Sequence, residues 1–372
     1  MKKLISTIIE SPFNPQFGKR PDSFVGRDSM VDSLIREYHD KNAPERVTVI
    51  SGVRGSGKTV LLSDISTILE QTKDWLVVNV ATTEGLLENI IGVIKYKIRE
   101  ELQWNLPMVQ DVTVGAPFVS VKFGREQISS PTAFYPELLS IMNELDKKGM
   151  KVIFIIDEVS STKEMREFVS TYQLLVRENF DIVLLMAGLP HYVDAMLSDK
   201  VLTFLRRAHQ IFLPFIEPYI MKLEYEKIFN SVGRTFSKEA LELAYISTGG
   251  YPYLFQLIGF YLWRTDEDHM TKPLVEASIE QSKGMLYQNV YGIVYSELSQ
   301  VEQEFLQVMC EGQQGIEIKD IVKNMKKTSG YVNNYREKLI KRGIIASVSH
   351  GVVRFTLPFF RDYLIEEKKK ML

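Results

Sequence analysis

A chain of 372 residues is long enough for two or three domains, and with 45% hydrophobic and 25% charged residues it has the composition of a soluble globular protein. The formal net charge of −2 excludes a global electrostatic pull toward nucleic acid, so any basic surface must be local. A single cysteine, Cys310, excludes an internal disulfide and fits a reducing, cytoplasmic compartment, and no apolar run approaches the roughly 18 residues of a membrane helix.

The chain opens with MKKLISTIIE, whose short apolar stretch is broken by Glu10 and followed by no small-residue cleavage pattern, so it does not read as a signal peptide. Pro12, Pro15, Gly18 and Pro21 predict an extended arm ending in Phe24-Val25-Gly26-Arg27. Two readings stay open for that turn: a surface that packs on a nucleotide base, or a simple entry to the helix that carries Val31, Leu34, Ile35 and Tyr38. Residues 47–51 then form an apolar strand leading into Gly52-Val53-Arg54-Gly55-Ser56-Gly57-Lys58-Thr59-Val60. This is the G-x-x-x-x-G-K-T spacing. A strand delivers the chain to a tight turn, glycines let backbone N–H groups point inward, and the next helix offers its positive N-terminus to phosphate. Lys58 is placed to reach the β and γ phosphates, and the Thr59 hydroxyl to hold a magnesium ion.

A helix over 58–70, a strand over 75–80 and a helix over 83–103 follow. Residues 106–130 break the α/β rhythm with alternating valines and read as a β-hairpin or flexible insertion. A helix over 131–148 leads to Val152-Ile153-Phe154-Ile155-Ile156, a strand buried on both faces, ending in Asp157-Glu158. Ligands of open α/β sheets gather at such carboxyl ends, so Asp157 is assigned to magnesium and Glu158 to the attacking water. A helix over 162–179, a strand over 181–186 and a fifth strand before Leu213 complete a parallel sheet of βαβ units. Arg206 and Arg207 precede that fifth strand, either as a solvated helix end or as arginine fingers reaching a neighbouring subunit.

From Ile216 the pattern is all-helical, with helices over 217–231, 237–248, 252–265 and 272–297 and a hinge-like break at Thr248-Gly249-Gly250-Tyr251-Pro252. Helices over 299–311, 316–325 and 328–342, strands over 344–349 and 352–357 and a terminal helix from Pro358 describe a winged helix-turn-helix. Between Ile316 and Arg342, eight basic residues (Lys319, Lys323, Lys326, Lys327, Arg336, Lys338, Lys341, Arg342) face three acidic ones, Glu317, Asp320 and Glu337. With Asn333 on the recognition helix and Arg354 on the wing, Lys326, Lys327, Arg336, Lys338 and Lys341 form the expected double-stranded DNA face. The five histidines are scattered and offer no metal-ligand spacing.

In their order, FVGR, GVRGSGKT, IIDE, FLRRA, TGGYP and a winged helix resemble the AAA+/STAND-like P-loop ATPases of the archaeal and bacterial origin-recognition type. The resemblance implies a P-loop parallel sheet in an ATPase domain over 1–215, a helical lid over 216–297 and a winged helix over 298–372. It implies that Phe24 to Arg27 line the adenine side, Gly52 to Val60 hold phosphate, Asp157 is the magnesium-linked acid and Glu158 the catalytic glutamate, and Arg206 or Arg207 acts in trans. Two departures accompany it. The fourth strand ends in Ala187-Gly188-Leu189, where a polar sensor is usual in that family. The Gly-Gly-x-Pro break, whose Tyr251 and Pro252 are assigned to the nucleotide, is closer to the STAND switch ATPases. The expectation is a slowly hydrolysing, magnesium- and ATP-dependent ATPase that binds DNA and self-associates with nucleotide. The alternative is a signalling or defence switch whose winged helix contacts protein.

Overall fold

The computed structural model describes residues 10–16, 26–100, 134–313 and 315–371. Phe24, Val25 and the 106–130 insertion therefore lie outside the described residues. The chain separates into two compact units. One holds residues 29–51 and 61–212, and the other holds 1–28, 52–60 and 213–372.

In chain order the elements are α1 (Asp28–His39), β1 (Val47–Ser51), α2 (Lys58–Glu70), β2 (Trp75–Ala81), α3 (Leu86–Glu100), α4 (Phe134–Asp146), β3 (Lys151–Asp157), α5 (Lys163–Arg177), β4 (Ile182–Gly188), α6 (Pro190–Ser198) and β5 (His209–Phe212). The five strands are all parallel, in the order β2-β3-β4-β1-β5. β4 therefore lies between β1 and β3, and Ser51 pairs with Gly188 while Ile156 pairs with Met186. The carboxyl ends of β1, β3 and β4 share one edge of the sheet. Strand residues alternate between faces. Leu76, Val78, Phe154, Ile156, Leu184 and Met186 pack against α3 to α6, and the intervening Val77, Ile153, Ile155, Val183 and Leu185 are buried as well.

Local caps and long-range polar contacts hold these elements in place. Thr162 caps α5 by accepting the Met165 N–H at 3.1 Å. The Glu164 carboxylate accepts the N–H groups of Gly85 and Leu86 at 3.2 and 2.5 Å, an anion at the N-terminus of α3. Arg46, nearly buried in the turn before β1, donates to Asp181 and to the carbonyls of Tyr38 and Ile182.

The second unit continues with α7 (Pro218–Asn230), β6 (Thr235–Phe236), α8 (Lys238–Ser247), α9 (Pro252–Trp263), β7 (His269–Met270), α10 (Lys272–Leu286), α11 (Gly292–Ser296), α12 (Gln300–Met309), β8 (Ile316–Glu317), α13 (Ile318–Met325), α14 (Ser329–Lys341), β9 (Ile345–Ser349), β10 (Val352–Phe355) and α15 (Phe360–Met371). A single apolar core runs from Phe13 and α7 through α9 and α10 to α15. The aromatic seam Tyr291, Tyr295, Phe360 and Tyr363 joins the lid helices to the winged helix. The proline-rich arm is anchored here: Phe13 sits against Gly259, where any Cβ would strike its ring, and the Asn14 N–H reaches Gln256 Oε1 at 2.9 Å.

Three local readings change. The helix expected over 272–297 is interrupted by a π turn at Tyr287–Tyr291, which periodicity alone does not reveal. Residues 316–317 are a third strand of the wing, paired with β10, so the helix starts at Ile318. β6 and β7 form a two-residue parallel pair too short to carry an alternation signal. Among the described residues no helix is long and apolar enough to cross a membrane.

Candidate functional site

The phosphate-type loop leaves β1 at Ser51. At Gly52 an added Cβ would sit 2.6 Å from Ser56 Oγ and 3.2 Å from Leu213 Cβ, so any side chain there forces its neighbours to shift. Gly55 and Gly57 have φ of +77° and +90°, a conformation that side chains other than glycine disfavour. The space beside Gly57 is open, whereas a Cβ on Gly55 would strike the Tyr251 hydroxyl. The Ser56 N–H closes the turn on the Val53 carbonyl at 3.2 Å. Lys58 opens α2, and its ammonium donates to the carbonyls of Gly52 and Val53 at 2.8 and 3.0 Å. The lysine thus lies along its own loop, with Thr59 in the same helical turn. Ser56 Oγ is buried without a partner among the described residues, a polar atom that a bound anion or water satisfies. The glycine conformations, the cation and this orphaned hydroxyl fit a nucleotide's phosphates.

The flanking motifs grip this loop from its own unit. Gly26 takes φ +68° where Ile216 and Ile220 crowd its Cβ position at 3.3 and 3.1 Å. Arg27, only 4% exposed, donates to the carbonyls of Ser56 at 3.1 Å and Pro214 at 2.7 Å. Burial lowers its pKa to about 10, so it stays a cation at neutral pH. The arginine of the FVGR turn is therefore built into the back of the loop. In the Gly-Gly-x-Pro break, Gly250 at φ +78° lies against the Ile216 carbonyl, and its own carbonyl accepts the Ile216 N–H at 2.8 Å. Tyr251 is fully buried and donates its hydroxyl to the Arg54 carbonyl at 2.5 Å. Burial drives its pKa well above the ordinary tyrosine range. Pro252 opens α9. Arg54 also pairs with Glu297 at 3.9 Å. Sequence reading missed Glu297, since nothing in the residues beside it signals a partner 243 positions upstream.

The acidic pair ends β3 in the sheet unit. Asp157 Oδ1 accepts the N–H of Glu158 at 2.8 Å, and Glu158 is exposed in the left-handed region at φ +54°. Such a backbone costs on the order of 1–3 kcal/mol in a residue other than glycine and clusters at functional sites. The next residue explains the altered end of β4. The Val159 N–H donates to the Ala187 carbonyl at 2.9 Å, and a Cβ on Gly188 would stand 2.8 Å from Val159 Cγ2 and 3.1 Å from its carbonyl. Gly188 has no room for a polar sensor side chain. Arg206 and Arg207, both exposed, end a 3-10 turn, Thr203–Arg207, whose Leu205 is buried, with Arg206 Nε donating to the Leu197 carbonyl at 3.1 Å.

On the winged helix, Thr328 caps α14 by accepting the Tyr331 N–H at 3.4 Å. Lys327 and Lys338 stand 5.7 and 4.8 Å from the ring centres of Tyr331 and Tyr335, and those rings lie 5.0 Å apart. Asn333 contacts Ser329 at 3.4 Å, and Arg336 donates to Ser347 on the wing at 2.6 Å. Lys326 takes the left-handed conformation that ends α13, while Lys341 and Arg354 are exposed. Among the counted cations, Lys319 pairs with Glu317 at 2.6 Å and Arg342 with the buried Glu302 at 3.2 Å.

With the strand order and loop geometry in hand, solved structures supply the comparison. A Walker-type ATPase of Pyrococcus abyssi superposes with a TM-score of 0.66 at 14% identity, covering 95% of this chain and 99% of that one. The ORC2 protein of Aeropyrum pernix, solved with ADPNP and ADP, gives 0.60 at 15% identity over 96% and 98%. Cdc6p of Pyrobaculum aerophilum gives 0.50 at 14% over 95% and 97%. The fold is that of the origin-recognition and Cdc6-type P-loop ATPases. Two family models match segments: residues 27–112 match the mitochondrial ribosomal death-associated protein 3 family, and 288–364 match a domain of unknown function (DUF8462). No curated protein matches the sequence.

Proposed function

We propose that this chain binds Mg-ATP, hydrolyses it slowly and couples the nucleotide state to its winged helix. The observation that carries the reading is the loop Gly52–Thr59, with left-handed Gly55 and Gly57, an unobstructed side at Gly57, and Lys58 and Thr59 opening α2. The likeness to nucleotide-bound ORC2 supports it. Thr59 and Asp157 would hold the magnesium, which would supply charge neutralisation on the phosphates. Glu158 orients the water. Slow turnover rests on Gly188, which brings no polar side chain to the reaction edge. Arg206 and Arg207 act in a neighbouring copy, so turnover per chain rises with protein concentration. The protein works in the cytoplasm, in a domain order of ATPase (1–215), lid (216–297) and winged helix (298–372).

The winged helix binds duplex DNA through Lys326, Lys327, Asn333, Arg336, Lys338, Lys341 and Arg354. Alanine at Lys338 and Lys341 is expected to weaken duplex binding across sequences and flatten its salt dependence. Undetectable duplex binding by the wild type at low salt overturns the assignment. A second reading, a switch whose winged helix contacts protein, is favoured by one observation: Arg336, Lys319 and Arg342 are already engaged with Ser347, Glu317 and Glu302. Mass in solution with ADP and with a non-hydrolysable ATP analogue, with and without duplex, separates the two. Assembly that ignores DNA supports the switch.

A further inference from the structure

The phosphate loop and the Gly-Gly-x-Pro break are 197 residues apart, yet they meet through one hydroxyl. Tyr251 sits at the N-cap of α9 with no exposed surface, and its ring packs against Phe215 and Tyr253 at centroid distances of 5.3 and 6.4 Å. Its hydroxyl has one acceptor, the carbonyl of Arg54. Every described peptide bond is trans. A trans peptide points its C=O and N–H in opposite directions. A hydroxyl fixed on the Arg54 carbonyl therefore turns the N–H of Gly55 away from the lid helix, to the opposite side of the loop. Gly55 is glycine on two counts, its φ of +77° and the ring that fills its Cβ position.

We infer that Tyr251 is a positioning residue for phosphate: it locks the Arg54–Gly55 peptide so that the Gly55 N–H is preorganised as a phosphate donor. The role differs from a direct contact with the nucleotide, because the side chain is buried behind the loop. Glu297 reinforces it by holding the Arg54 side chain on the same body. Tyr253 is the built-in control. Its Cβ neighbours Gly55 at 3.0 Å from the glycine's Cβ position, and its hydroxyl accepts from Asn289 Nδ2 at 3.3 Å.

This inference rests on the reading of Gly52–Thr59 as a phosphate site, and the test separates the two. Calorimetric binding of ATP and of pyrophosphate is measured on the full chain for the wild type, Tyr251→Phe, Tyr253→Phe and Lys58→Ala. Tyr251→Phe keeps the ring in its aromatic cluster and removes only the hydroxyl. It is expected to weaken ATP and pyrophosphate by the same factor, roughly five- to tenfold, with Tyr253→Phe unchanged. Equal affinity of Tyr251→Phe and wild type for pyrophosphate overturns the inference, whether or not ATP binding falls, since a loss confined to ATP places Tyr251 on the nucleoside. An equal loss in Tyr253→Phe also overturns it, because the effect is then a general loosening of the lid. Wild type that binds neither probe, or Lys58→Ala that binds both normally, brings down the phosphate site itself.

Discussion

Gly57 and Gly188 are glycines for opposite reasons. Gly57 is required by its backbone, at φ +90°, and nothing described lies within 4 Å of where its Cβ would be. Gly188 adopts no unusual φ, and its Cβ position is filled by Val159, with contacts at 2.8 and 3.1 Å. One glycine leaves a clear approach for a ligand. The other closes a place where the resemblance expects a polar group. The difference underlies the proposal of a chain that binds phosphate at its loop and brings no polar side chain to the end of β4.

The sharpest way to break this comparison is at Glu158. Glu158→Gln is expected to retain ATP binding and lose turnover by roughly 10²–10⁴-fold, the usual worth of a positioned acid-base group. Glu158→Gly is expected to lose turnover equally while raising stability by up to ~1 kcal/mol, since glycine accepts the left-handed backbone without strain. Chemical denaturation of the two variants decides whether the strain is present.

The sensor position comes next. Gly188→Asn restores the expected side chain in sequence, yet is predicted to destabilise by about 1–3 kcal/mol through overpacking against Val159. It is predicted to bring no gain in turnover. A stable, faster Gly188→Asn enzyme refutes the steric explanation.

A smaller effect is expected at Glu302. Burial raises its pKa, but the Ser299 hydrogen bonds and Arg342 outweigh that, holding it below the ordinary 4.5. A group depressed in the folded state contributes stability above its unfolded pKa and loses it as pH falls through the folded value. Thermal melts between pH 6 and 3, limits chosen to bracket roughly the ordinary carboxylate range, should therefore fall less steeply in Glu302→Gln than in wild type.

Much of the fold was readable because its signals are local. β3 is five apolar residues ended by two acids, and the GKT glycines mark a turn whose conformation they alone permit. The lid and wing followed from helix caps such as Thr328 and from a Gly-Pro hinge. What escaped depends on distant partners. The sheet order places β4 between β1 and β3, which no single strand encodes. The π turn at Tyr287–Tyr291 sits inside a pattern that reads as uninterrupted helix. At the candidate site, Lys58, Thr59, Asp157 and Glu158 were legible as chemistry. The anchoring of Arg27 on the Ser56 carbonyl and of Tyr251 on the Arg54 carbonyl was not, because each joins segments far apart in sequence.

A phosphate site that binds ATP and cleaves it slowly is tested most directly by single-turnover hydrolysis of γ-labelled ATP by wild type and Glu158→Gln, with magnesium and excess protein. The expected result is tight binding by both, wild-type cleavage slower than roughly one per second, the low edge of ordinary enzymes, and almost none in Glu158→Gln. Wild-type cleavage at tens per second, or the same rate in both proteins, contradicts it.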